Sequence, residues 1–269
     1  MSPSPAQDLE LLVAAAVEAG TLALDLRARG LKIAFKEGNS PVTNADFATD
    51  TLLKTKLGQA RPDYGWLSEE TADDLARLKR RRVFVVDPID GTRAYMKDKP
   101  WWVISVAVVE DGQPIAGVVY APQVGEVYTA LAGGGAKLNG SLIVPAPTVR
   151  LDGCGMVGDQ RMFDHPSWPQ AWPRMRVESR NSTAYRMCLV ASGQFDAALA
   201  LVAKADWDLA AADLVAREAG AYCGDHLGRG FDYNGQIPSQ LSLLCAAPRL
   251  APLILERVSH IALPNKALI

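Results

Sequence analysis

The stretch from Val103 to Leu138 constrains this chain most. Ile104–Val109 and Ile115–Tyr120 are runs rich in β-branched residues, and they flank Asp111-Gly112. That dipeptide accepts positive φ and is a strong hairpin signal. Val124–Gly125 turns into Glu126–Leu131, and Gly133-Gly134-Gly135 turns again. The pattern predicts a β-meander. Before it, Leu9, Leu12, Val13, Ala16, Val17, Gly20 and Leu24 recur at helical spacing, predicting an amphipathic helix over 7–29 closed by Gly30. Residues 31–41 are rich in Lys, Gly, Asn and Pro and predict a loop; Thr43–Leu57 predicts a second helix with Asp46 near its first turn. Lys79–Arg82 reads as a solvated helix face, and Val83–Val86 as a brief strand. Pro145-Ala146-Pro147 divides the chain into halves 1–145 and 146–269. Beyond it strands alternate with helices. Ser182 caps a helix ending at Gly193, Phe195–Leu201 is a strand, and Trp207–Ala219 is a helix closed by Gly220.

Composition narrows the classes of function. With 49% apolar residues, 28 Lys+Arg and 30 Asp+Glu, the 269-residue chain carries a formal charge of −2. It can bury a core, so disorder of the whole is excluded. The near-neutral balance argues against nucleic acid or an anionic membrane as a main partner, since counterion-release binding needs a basic face. Leu11–Ala19 is interrupted by Glu18 and too short to span a bilayer. Cys154, Cys188, Cys223 and Cys245 are widely spaced, with no C-x-x-C pair. They are expected to be free buried thiols, and the chain to be cytoplasmic. His165, His226 and His260 fit no catalytic triad and read as surface or hydrogen-bonding residues.

Four acidic features carry the chemistry. Asp87-Pro88-Ile89-Asp90-Gly91-Thr92 follows a strand directly. A strand delivering two carboxylates to its end is suited to a hard cation, and the Ile89 carbonyl is a further oxygen ligand. Gly91 and Thr92 amides at a helix start could meet a phosphate; Asp-Gly-Thr is equally a plain turn sequence. Glu69-Glu70 alone could be a solvated surface pair, and Asp208 and Asp46, each at a helix start, could simply be caps.

In combination the four motifs resemble the inositol monophosphatase superfamily of magnesium-dependent, often lithium-sensitive phosphatases. An early Asp, a Glu pair, Asp-Pro-Ile-Asp-Gly-Thr and the helix start Trp207-Asp208-Leu209-Ala210-Ala211 occur in that superfamily's order, over roughly residues 7–247. Ser68, where many members have Gly, is one small departure. The resemblance implies an α+β and α/β fold, the sugar-phosphatase α-β-α-β-α layered sandwich with two mixed or antiparallel sheets. It implies a first Mg²⁺ on Glu69, Asp87 and the Ile89 carbonyl, and a second on Asp87, Asp90 and Asp208. A third, weaker ion would lie near Glu69. Glu70 would orient ligands, the Gly91 and Thr92 amides would bind phosphate, and Thr92 with Asp46 would position the attacking water. Mn²⁺ could substitute, Li⁺ would inhibit at the second site, and the protein would be a homodimer or monomer. Oxygen-only ligands favour such ions over zinc, and four converging carboxylates need divalent charge to offset their repulsion.

Two other classes compete. Haloacid-dehalogenase-type phosphatases also end a strand in Asp-Gly-Thr, but their two acids stand two apart, and here Asp87 and Asp90 are three apart around Pro88. A non-catalytic interaction protein would not need every metal acid. The substrate is expected to be a small phosphate ester. Leu201 stands where inositol-specific members carry a Glu that contacts ring hydroxyls. Arg180-Asn181-Ser182 and Arg186–Ala191 look more like the CysQ-type 3′(2′),5′-bisphosphate nucleotidases. Ser182, Leu201 and Lys204 are therefore the expected substrate contacts, with Lys204 meeting a second phosphate or simply lying in an exposed loop. Inositol monophosphatase or broad sugar and histidinol phosphatase activity is the alternative.

Overall fold

A computed structural model describes residues 3–263. Among the described residues seven α-helices are formed: α1 (Pro5–Arg29), α2 (Asn44–Ala60), α3 (Thr92–Met96), α4 (Gln160–Phe163), α5 (Thr183–Ala191), α6 (Asp206–Ala219) and α7 (Ala251–Val258). A seven-stranded sheet runs in the order 65–68, 82–90, 103–110, 113–121, 126–131, 135–138, 141–142. Its first pair is parallel and every later pair antiparallel, as the meander predicts. The second sheet has five strands, in the order 176–178, 155–157, 197–200, 243–246, 222–224.

Period-two burial explains the layering. In the Arg82–Asp90 strand, Phe84 and Val86 join a core with Leu12, Ala16, Leu53 and Leu57 of α1 and α2. Val83 and Val85 join the opposite core, with Leu209, Ala212 and Val215 of α6 and Met187 and Val190 of α5. A third core places Leu199 and Leu244 of the smaller sheet against Phe163 and Ile254 of α4 and α7. The layers are therefore α1/α2, large sheet, α5/α6, small sheet, α4/α7, the expected sandwich.

Local chemistry sets the helix ends. Ser4 and Gln7 exchange hydrogen bonds in a capping box at α1. Thr43 caps α2 with Asp46 reaching back to its amide, and Gly220 closes α6 at φ 96°. Four expectations need correction. The brief strand expected over Val83–Val86 runs over Arg82–Asp90, because Asp87 and Asp90 still pair with Ser105 and Val103. Residues 31–41 are not a plain loop, because Ile33–Phe35 pairs with Pro41–Thr43 in an antiparallel ribbon. Its first strand is exposed throughout, so it lacks the alternation that reveals a strand. The solvated helix face is a 3₁₀ turn over Ala76–Lys79, and Arg82 already belongs to the next strand, tied to Asp8, Tyr64 and Glu110. The strand expected over Phe195–Leu201 spans only Ala197–Ala200. Among the described residues no helix is long and apolar enough to cross a membrane.

α6 reaches the large sheet at Gly117. A Cβ built there would lie 3.1 Å from the Ala211 carbonyl oxygen and 3.2 Å from its Cα. The contact is backbone on backbone and has little room to yield. Gly117→Val should destabilise the protein by about 1–3 kcal/mol, the usual cost of overpacking, read as a lower urea midpoint. An unchanged midpoint would show that α6 is not seated on the sheet this closely.

Candidate active site

The site begins at a break in sheet register. Asp87 pairs with Ser105 and Asp90 with Val103, three steps on one strand against two on the other. In a regular strand residues three apart face opposite sides. The extra residue at Pro88-Ile89 makes a bulge, and Pro88 sits where its missing N–H costs no ladder bond. The Ile89 amide donates to Asp87 Oδ1 at 3.0 Å, fixing the turn.

The bulge turns both acids toward the start of α6, where Asp208 occupies the first turn and accepts from the Ala205 amide at 3.3 Å. Carboxylate oxygens of Asp87, Asp90 and Asp208 lie within 4.8 Å of one another. Asp90 is also clamped by the start of α5, accepting from Ser182 Oγ and the Ala184 amide at 2.6 Å each and the Thr183 amide at 3.2 Å. Ser182 is fully buried and accepts from the Tyr185 amide at 2.9 Å. It therefore supports Asp90 as well as capping α5.

Two further groups flank the trio. Thr92 Oγ1 donates to Asp46 Oδ1 and lies equally near the Ile89 carbonyl, 3.2 Å in each case. Asp46 Oδ2 is already engaged, accepting from the Thr43 amide at 2.8 Å and Thr43 Oγ1 at 2.6 Å. On the other side, Lys36 Nζ lies 3.0 Å from Glu69 Oε1 and 2.7 Å from Glu70 Oε1. Ser68 Oγ and Thr71 Oγ1 both donate to Asp50, the latter at 2.6 Å, which holds the Glu69-Glu70 loop. Lys36 and Asp50 carried no motif, since a lysine in a polar loop and an acid inside a helix are ordinary.

A cleft of about 320 Å³ collects Glu69, Asp87, Ile89, Asp90, Gly91, Thr92, Arg93, Asn181, Thr183, Lys204 and Asp208. Leu201 does not line it. Ala197, Leu199 and Leu201 alternate onto the outer face of the small sheet, and Leu201 lines a separate cavity with Met162, Trp168 and Ile261. The substrate contact expected there is thus moved off the site by strand alternation. Ser182 is likewise turned to Asp90 and is not among the cleft-lining residues. His226 is buried between Ser242 Oγ and the Ile261 carbonyl, at 2.8 and 3.0 Å, while His165 and His260 are exposed. All four cysteines are free; Cys223 is half-buried and the others buried.

Burial raises every acid of the trio above its ordinary range. Asp87 is pushed up by desolvation and then by Glu69, Asp90 and Asp208. Asp208 is pushed up to about 7 by desolvation against the nearby Lys204. Asp90 is raised by desolvation despite its three donors, and Asp46 is raised by burial. Burial and the Glu69 charge lift Glu70 to about 7, against the pull of Lys36. An all-oxygen set with excess negative charge in a polar cleft fits a hard divalent cation.

The profile of the inositol monophosphatase family matches residues 5–262. A histidinol-phosphatase of Chlorobaculum parvum is 30% identical over 236 residues, covering 85% of this chain and 90% of that protein. The 3′(2′),5′-bisphosphate nucleotidase CysQ of Escherichia coli O157:H7 is 30% identical over 228 residues, covering 77% and 85%. The solved structure of a Thermotoga maritima IMPase superposes with a TM-score of 0.81 at 24% identity, covering 93% and 96%. Fold, site and relatives define a metal-dependent phosphatase. The chain belongs to the inositol monophosphatase family, whose members are phosphoric monoester hydrolases.

The raised acids predict a pH dependence. Their folded values exceed the unfolded value of 3.8, so the folded state holds the extra protons between the two. Their contribution to stability is intact below the unfolded value and is lost as pH rises through the folded one, about 7 for Asp208. The melting temperature gained on adding Mg²⁺ should therefore be larger at about pH 8 than at about pH 5. Equal gains at both would contradict the crowding of charge.

Proposed function

We propose that the chain is a Mg²⁺-dependent phosphomonoesterase working by direct water attack, and that its preferred substrate carries a second phosphate, as in a 3′(2′),5′-bisphosphate nucleotide. One observation carries this reading: the acid trio and Thr92, whose hydroxyl donates to the buried Asp46 behind it, share a cleft with two cations, Lys204 and Arg93. Glu69, Asp87 and the Ile89 carbonyl would hold one ion, and Asp87, Asp90 and Asp208 another, with Li⁺ competing at the latter. Bound there, divalent ions would neutralise the acids, polarise the phosphoryl oxygens and lower the pKa of water. The cytoplasmic assignment, and a site shared between halves meeting near Pro145, belong to the same reading.

The remaining work falls to protein groups. Asp46 Oδ2 is held by Thr43, which leaves Oδ1 to orient the Thr92 hydroxyl. Thr92 Oγ1 donates there and accepts a hydrogen from the attacking water, so the water's proton is drawn toward Asp46. Burial raises Asp46, making it a better acceptor for that proton. The Gly91 and Thr92 amides face the transferred phosphoryl group, and Gly91 holds φ 99° where a Cβ would strike the Trp101 carbonyl at 2.8 Å. Glu70, held by Lys36, steadies the Glu69 loop. No protein nucleophile is needed.

Thr92→Ala should lower kcat far more than it raises KM, because the water is misoriented while the phosphate amides remain. A matched rise in KM with kcat unchanged would place Thr92 in binding alone. For specificity, kcat/KM for 3′-phosphoadenosine 5′-phosphate should exceed that for inositol 1-phosphate and histidinol phosphate. A tenfold ratio corresponds to about 1.4 kcal/mol of transition-state binding, and Lys204→Ala should narrow it. Preference for inositol 1-phosphate, or a ratio untouched by Lys204→Ala, would reject the bisphosphate reading.

A further inference from the structure

Arg77 follows Asp73 and Asp74 on a charged surface segment, yet its side chain is fully buried. Nε lies 3.0 Å from both Asp73 oxygens and Nη2 2.6 Å from Oδ2. The rest of the guanidinium crosses to the C-terminal half. Nη1 donates to Asn234 Oδ1 at 2.6 Å, and both Nη atoms lie 3.0 Å from the Gly235 carbonyl. Its own backbone is wedged as well, since a Cβ on Gly65 would lie 3.0 Å from Arg77 Cα.

The turn that Arg77 grips is connected to the site. Asn234, at φ 65°, donates its amide to Asp206 Oδ2 at 2.7 Å, and Gln240 Nε2 donates to Asp206 Oδ1 at 2.9 Å. Asp206 is the buried first residue of α6, two residues before Asp208. We propose that Arg77 is a positioning residue for Asp208, acting through the Asn234–Gly235 turn and Asp206 to hold the start of α6 at the distance at which Asp208 completes the acid trio. Arg77 precedes the strand carrying Asp87 and Asp90, so one side chain ties together the segments that supply all three acids. A planar guanidinium with five donors suits this junction, and a Lys ammonium cannot reach both carbonyls and the carboxylate in the same fork. The proposal rests on reading Asp208 as a metal ligand.

The test is a double-mutant cycle read by calorimetric Mg²⁺ titration without substrate, using Arg77→Met, Asp208→Asn and the pair. Arg77→Met should weaken Mg²⁺ binding about tenfold in the wild-type background, and by little once Asp208 is already Asn. Arg77→Lys should fall between wild type and Arg77→Met. If Arg77→Met does not fold, Asn234→Gly removes the Oδ1 acceptor while tolerating positive φ, and enters the same cycle. Losses that simply add would overturn the positioning role while leaving the metal assignment intact. An Asp208→Asn variant with wild-type Mg²⁺ binding would instead remove the ligand assignment, and the proposal with it.

Discussion

Repulsion among Asp87, Asp90 and Asp208 is the constraint around which the neighbouring structure is arranged. Their oxygens lie within 4.8 Å of one another where burial already disfavours charge. Such a cluster survives only where strong local bonds fix each member and an outside charge offsets the sum. The fixing bonds are all visible: a strand bulge for Asp87, the start of α5 for Asp90, the start of α6 for Asp208. The lysines at the margin, Lys36 and Lys204, compensate in part. A divalent cation is the complement that fits this arrangement.

The layered architecture, set by apolar burial on both faces of the sheets, brings the supports of this cluster together. α5 and α6 lie between the two sheets, so their N-termini reach the bulged strand from the other half. Gly117 lets α6 approach the large sheet closely, and the Arg77 junction ties its first residue back to the segment before the bulge. Placement of Asp208 thus depends on packing across the molecule and on polar contacts at one helix end. Lys204, Arg93 and Asn181 line the cleft further out, where the proposed preference for a second phosphate would act.

Much of this was legible in the chain itself. The meander, the long helices and the ends at Gly30 and Gly220 follow from local periodicity and caps, which tertiary packing reinforces here. The acid motifs were legible because their order is specific. What eluded the sequence was direction. Asp87 and Asp90 are three residues apart, and only a bulge makes them neighbours, which a pattern of residue types does not encode. Leu201 stands where inositol-specific members carry a Glu that contacts ring hydroxyls, but strand alternation sends it to the outer face of the small sheet. Ser182 reads as a substrate group through the likeness of Arg180-Asn181-Ser182 to the nucleotidases, but a hydroxyl at a helix start can face either way, and here it faces Asp90. Lys36, Asp50 and Arg77 act through partners 18 to 158 residues away, and such long-range pairings leave no local signature.

The most direct measurement is a crystal structure of the protein grown with Mn²⁺, read by anomalous difference density. The account predicts peaks in the cleft ligated by Asp87, Asp90 and Asp208 and by Glu69, Asp87 and the Ile89 carbonyl. The trio should keep its present separation, and Lys36 should withdraw from Glu69. Ordered carboxylates with no anomalous peak among them at saturating Mn²⁺ would contradict it.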